Sequence, residues 1–195
     1  MRSAVAALLA LTAATPLAAE TCTEKFQRIL VERNPPRAVK ITHKVKGAPA
    51  TRNINWQAGP RPLDDGNARA RHDAWTLVAG GVMYTSSDKG KTWNKVRTMD
   101  SGANADQYRR ILEAAAATVK DAACGSEEID GVPHETIEAS YAIPAYKTEH
   151  LDKYWIDPKT GRIPRLESIT RMSGFESTTT QVIEKAPGLA LPKPE

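Results

Sequence analysis

The sequence predicts an α+β fold in which two helices pack on one face of a curved antiparallel sheet. Three observations carry this expectation. Apolar spacing along the chain runs helix, strands, helix, strands. The links between strand-like segments are short, which favours antiparallel pairing. A length of 195 residues suits one domain. Lys+Arg number 27 against 23 Asp+Glu, a net +4 spread evenly along the chain, which argues against a nucleic-acid partner. Two cysteines are too few for a four-thiolate zinc site or a disulfide-dense miniprotein.

Residues 1–19 read as a secretory signal. Arg2 supplies the positive start, the apolar run Ala4–Ala14 is too short to span a bilayer, and Leu17-Ala18-Ala19 offers small residues for cleavage before Glu20. Cys22 follows Glu20-Thr21 and not the small residues that lipid modification requires, so no membrane anchor is expected. Losing Arg2 leaves 26 basic residues against 23 acidic. A periplasmic or secreted chain meets an oxidising compartment, where Cys22 and Cys124 would pair; the alternative is two buried free thiols. With no Cys-x-x-Cys, such a bridge would be architectural. The domain would occupy residues 20–185 and leave 186–195, rich in proline, as a flexible tail.

The first helix is expected over Cys22–Arg33. Thr21 and Glu24 form a capping box, Cys22, Phe26, Ile29 and Leu30 share a stripe, and Asn34-Pro35-Pro36 stops it. The period then becomes two: Val39, Ile41, His43 and Val45 alternate with lysines and threonine, a half-buried strand. Ile54 and Trp56 suggest a second strand, and residues 58–72 read as a loop. Trp75–Ala79 and Val82–Thr85 flank Gly80-Gly81 as a hairpin, with Trp93–Met99 as a further strand. From Ala105 to Lys120 the helical period returns through Tyr108, Ile111, Leu112, Ala115, Ala116 and Val119, with a stop near Cys124-Gly125. Strands follow at Glu135–Ile143, Glu149–Ile156, Arg162–Met172 and Phe175–Glu184. Between the second and third of these, Asp157-Pro158-Lys159-Thr160-Gly161 forms a turn.

The sharpest short motif is Ser86-Ser87-Asp88-Lys89-Gly90-Lys91-Thr92-Trp93. It matches the Asp-box pattern of sialidase-type propeller blades, whose role is to stabilise a hairpin. One copy in this length cannot build a propeller. His43, His72, His134 and His150 lie in different elements with no ligand spacing between them, so no metal site is expected. There is no Gly-x-Ser-x-Gly, no phosphate loop, and no carboxylate pair placed for acid/base work. A hydrolase would need the fold to bring distant residues such as His134 and Asp152 together. The expectation is therefore no catalytic residues and no cofactor.

Residues Tyr154–Arg165 (YWIDPKTGRIPR), a strand with Glu167 and another ending in Val182-Ile183-Glu184 resemble the C-terminal hairpin of LolA/LolB-like periplasmic proteins. That superfamily includes lipoprotein carriers, sensor domains of envelope-stress regulators and lipid carriers. The likeness extends in element order over about residues 22–185. It implies an open half-barrel closed by helices around an apolar cavity, with no catalytic residues to carry over. On that basis Trp56, Trp75, Tyr84, Tyr141 and Trp155 are expected to line a pocket for a hydrophobic or amphipathic ligand such as an acyl chain, under the Ala105–Lys120 helix. The alternative is an envelope protein-interaction module with a fully packed core and no small-molecule ligand.

Overall fold

The computed structural model describes residues 20–32, 37–57, 67–71, 74–79, 81–98, 101–185 and 193. The signal-like segment 1–19, the Asn34-Pro35-Pro36 stop and almost all of the tail 186–195 lie outside the described residues. Helix α1 spans Cys22–Val31, two residues shorter than expected. Its capping box is formed: Thr21 N donates to Glu24 Oε2 at 2.8 Å and Glu24 N donates to Thr21 Oγ1 at 3.2 Å. These bonds satisfy amide donors that the first turn leaves free.

Among the described residues eleven strands follow: β1 Arg37–Val45, β2 Thr51–Gln57, β3 Asn67–Arg71, β4 Ala74–Ala79, β5 Val82–Ser86, β6 Asn94–Thr98, β7 Lys120–Ile129, β8 Val132–Ile143, β9 Thr148–Ile156, β10 Arg165–Met172 and β11 Phe175–Lys185. Helix α2, Ser101–Ala116, lies between β6 and β7. The strands form one antiparallel sheet in the order β6-β5-β4-β3-β2-β1-β11-β10-β9-β8-β7. Two meanders, β1–β6 and β7–β11, are thus joined where the first strand pairs with the last, from Arg37 opposite Lys185 to Val45 opposite Ser177. β6 and β7 stand at opposite edges, so the sheet stays open, as an α+β fold of this kind requires.

Two expectations fail in informative ways. The segment 58–72 is not all loop, because Asn67–Arg71 is β3, paired with β2 and β4. Its Ala-Arg alternation carries the strand period without a branched or aromatic side chain to announce it. The second helix does not run to Lys120. It ends at Ala116, and Cys124 and Gly125 lie within β7. Thr118 makes the break: its hydroxyl donates to Ala115 O at 2.7 Å and accepts from Ala142 N at 2.8 Å, turning the chain into the sheet. Cys22 and Cys124 are bridged, with Cα atoms 5.7 Å apart, so the disulfide joins the start of α1 to edge strand β7 and not to a helix end.

Both helices pack on one face. Phe26, Leu30, Ala115 and Ala116 are buried with Ile137, Ala139, Tyr141 and Ile143 of β8 and Tyr154 and Ile156 of β9. Gln27 Nε2 donates to Ala116 O at 2.8 Å, satisfying a carbonyl at the end of α2. The helices meet the sheet mainly at β7 and β8. The Asp-box segment is a stabilised hairpin between β5 and β6. Asp88 Oδ1 accepts from Lys91 N (3.0 Å) and Thr92 N (2.9 Å), and Ser86 Oγ accepts from Gly90 N at 2.8 Å. These donors, the Thr92 hydroxyl first, hold the Asp88 carboxyl far below the usual carboxylate range. Gly90 has φ +85°, and a Cβ there would stand 3.1 Å from Trp75 Cε3.

Candidate functional site

The site grows from the alternation of β9. Thr148, His150, Asp152, Tyr154 and Ile156 point to the helix face, opposite Ile143, Tyr141, Ala139, Ile137 and Glu135 of β8. The Phe26 ring of α1 lies 5.9 Å from Tyr141 and 5.5 Å from Tyr154, so the first helix seats on two tyrosines. Asp152 lies between those tyrosines and is 4% exposed. Its Oδ2 accepts from Tyr141 Oη at 2.9 Å and from Tyr154 Oη at 3.3 Å. Its Oδ1 has no hydrogen-bond partner among the described residues. Ser168 stands opposite on β10 and biases the carboxyl toward its charged form, without a hydrogen bond to Oδ1.

Burial sets the protonation of this group. It pushes the Asp152 carboxyl above the ordinary aspartate value, outweighing the neighbouring hydroxyls. It raises both phenols well above theirs, with the Asp152 charge adding to the effect. It lowers the His150 imidazole, so that ring is neutral near pH 7. His150 stacks on Tyr141 at 4.9 Å and lies 2.8 Å from Thr148 Oγ1 and 3.2 Å from Thr170 Oγ1.

Register extends the pattern across the sheet. Asp152, Ser168, Thr179, His43 and Thr51 stand side by side on β9, β10, β11, β1 and β2. His43 Nδ1 lies 3.0 Å from Thr179 Oγ1. One step toward the β10–β11 turn, a second polar row holds His150, Thr170 and Ser177. One step the other way the row reads Ile137, Tyr154, Leu166, Gln181 and Ile41, with Ile183 and Val39 paired just beyond. The helix face is therefore amphipathic along its strands: hydroxyls and imidazoles at one end, aliphatic side chains at the other.

Of the five aromatic residues expected in a pocket, four have described side chains, and of these Tyr141 alone stands on this face. Strand alternation and register put Trp155 (opposite Thr136), Trp75 (opposite Ser86) and Tyr84 (opposite Leu77) on the other one. Trp56 holds the matching register position on β2, and its side chain lies outside the described residues. Trp155 is itself buried, between Lys153 Nζ (5.0 Å from its ring centre) and the Arg165 guanidinium (4.8 Å), and its Nε1 donates to Glu127 Oε2 at 3.0 Å. That is a finished packing arrangement with its polar tip satisfied. The disulfide residues Cys22 and Cys124 do meet. His134 points to the face opposite Asp152 and lies 2.8 Å from Val132 O through Nδ1, so the two do not form a catalytic pair. Among the described residues no three His, Cys, Asp or Glu side chains converge as a metal site.

No family model matches the chain, and no curated protein sequence matches it. Solved structures share its general arrangement at low likeness. One is MucB in complex with MucA(peri), at 12% identity and a TM-score of 0.36, covering 84% of this chain and 56% of that one. The chain thus spans little more than half the length of MucB. A LolA superfamily protein of Nitrosomonas europaea has 11% identity and a TM-score of 0.32, covering 90% of this chain and 96% of its own. A DUF1329 family protein of Desulfovibrio piger has 10% identity and a TM-score of 0.29, covering 85% and 94%. At these values no residue role passes from one chain to another.

Proposed function

We propose that the protein is an exported, non-enzymatic binding protein that holds an amphipathic molecule, such as an acyl chain with a polar end, against the helix face of its sheet. The observation that carries this reading is the half-buried, mainly apolar strip of Leu166, Ile183 and Ile41, in which Gln181 stands between Leu166 and Ile41. It continues the core beyond β7 and β8, the strands where the helices mainly sit. From β8 to β1 the strip crosses four strand spacings, roughly 19 Å, which suits an extended acyl chain. The hydroxyl and imidazole rows beside it would receive the polar end, and burial of apolar surface would drive binding. A bridge between Cys22 and Cys124 fits a chain that works in an oxidising compartment.

The test is displacement of an environment-sensitive fluorescent fatty acid from the mature protein, with native mass spectrometry of the protein as purified. Binding is expected, and Ile41→Asp should weaken it about tenfold or more, the equivalent of losing one well-buried aliphatic contact. A protein that takes up no probe and is recovered with no lipid would overturn the proposal. It would favour the alternative of an interface for another protein.

A further inference from the structure

We propose that one end of the sheet, where three hairpin tips gather, docks on a bilayer surface rich in anionic lipid. Antiparallel alternation sends the β1–β2, β8–β9 and β10–β11 connections to the same end of the molecule. Three large apolar side chains lie exposed on two of those tips: Tyr146 at 53%, Met172 at 47% and Phe175 at 39%. Val45, Lys46, Arg171, Met172, Phe175 and Glu176 line an open groove of about 430 Å³, and Lys46 N donates to Glu176 O at 3.1 Å, tying two tips together. Gly47 and Gly174, with φ of +83° and +70°, make the bends, and a Cβ at either would meet no atom within 4 Å. The two glycine bends themselves therefore face open space.

Charge gives the docking its direction. The tips carry Lys44, Lys46, Lys147 and Arg171 against Glu149 and Glu176. Arg171 Nε pairs with Glu176 Oε2 at 2.8 Å, which leaves three lysines facing one acid. The opposite end mixes both signs: Glu127 there is paired with Lys153, and Glu128, Asp130 and Asp157 stand with Lys159, Arg162 and the paired strand ends Arg37 and Lys185. A surface of exposed apolar tips ringed by lysine is what an interfacial site needs. The apolar groups enter the headgroup boundary while the ammonium groups meet lipid phosphates. The hydroxyl and imidazole rows of the helix face lie toward this same end, so a docked molecule would present them to the membrane.

Sedimentation of the full mature chain with lipid vesicles tests this. Vesicles of phosphatidylcholine alone should bind little, and those with about a third phosphatidylglycerol should carry the protein down, less so as salt rises. Lys44→Glu with Lys46→Glu should reduce binding to the anionic vesicles by at least tenfold, and Phe175→Ser with Met172→Ser should also weaken it. Lys159→Glu, at the far end, should leave it unchanged. All these side chains are exposed, and unchanged melting curves confirm that each variant is folded. Equal binding to neutral vesicles, no binding to either kind, or an equal loss in Lys159→Glu would overturn the proposal. Capture of a protein partner by this end with no binding to lipid would do the same.

Discussion

At the scale of the residue, Asp152 has the largest consequences. Burial raises its folded-state pKa above the unfolded value, so the native state holds its proton more tightly than the unfolded chain does. Its effect on stability is therefore nil below the unfolded value near 3.8. A penalty grows as pH rises through the window up to the raised folded value and persists above it. Asp152→Asn keeps an oxygen for the two tyrosine hydroxyls and removes the charge. The stability of this variant relative to the parent is thus expected to increase with pH across that window, measured by urea denaturation at a series of pH values. A constant difference would show that Asp152 is not protonated preferentially in the folded state. The cluster had a signal in the sequence. His150, Asp152, Tyr154 and Ile156 share one parity in a strand, and a carboxylate set among buried positions calls for donors nearby. What the sequence could not supply was the partner, because Tyr141 comes from the next strand through a register that only folding sets. The face that each tryptophan takes was not legible for a related reason. Their size marks them as buried but does not say on which face, and Trp155 spends its indole on Glu127, Lys153 and Arg165.

At the scale of the element, the first helix was legible almost in full. Its cap is a local contract between Thr21 and Glu24, and its stripe names Phe26 and Leu30, both of which are buried. Phe26 is fully buried against two tyrosines, so Phe26→Ala should destabilise the fold by about 3–5 kcal/mol in urea denaturation. A loss under about 1 kcal/mol would mean that α1 rests on the sheet without organising it. The elements that escaped the sequence are those whose patterns are shared. Ala114 to Val119 continues a helical period into a segment that the sheet claims, and the Thr118 hydroxyl bonds decide where it stops. β3 has no intrinsic strand preference beyond its alternation, and is a strand because β2 and β4 flank it.

At the scale of the whole molecule, two meanders share one sheet but not one cap. Among the described residues the β7–β11 half carries the main helix packing, and the disulfide reinforces that half by holding the start of α1 against edge strand β7. The covalent loop so closed, with a sequence separation of 102 residues, contains α2 and the whole β1–β6 meander. In the chain-entropy account, a loop of this size stabilises the fold by about 4–5 kcal/mol through the unfolded state. Its local effect belongs where the bridge sits. Replacing Cys22 and Cys124 together by serine should lower global stability by up to that amount. In hydrogen exchange it should also open α1 and β7 more than the central strands β10 and β11. The reason is geometric: without the bridge, the first turn of α1 is held mainly by its capping box and by Phe26, and β7 keeps a ladder on one side only. The central strands have partners on both sides and do not depend on the bridge for position. If the double variant instead exchanged faster chiefly in β1–β6, the bridge would act by restraining the meander it encircles, and its placement between helix and edge strand would be incidental.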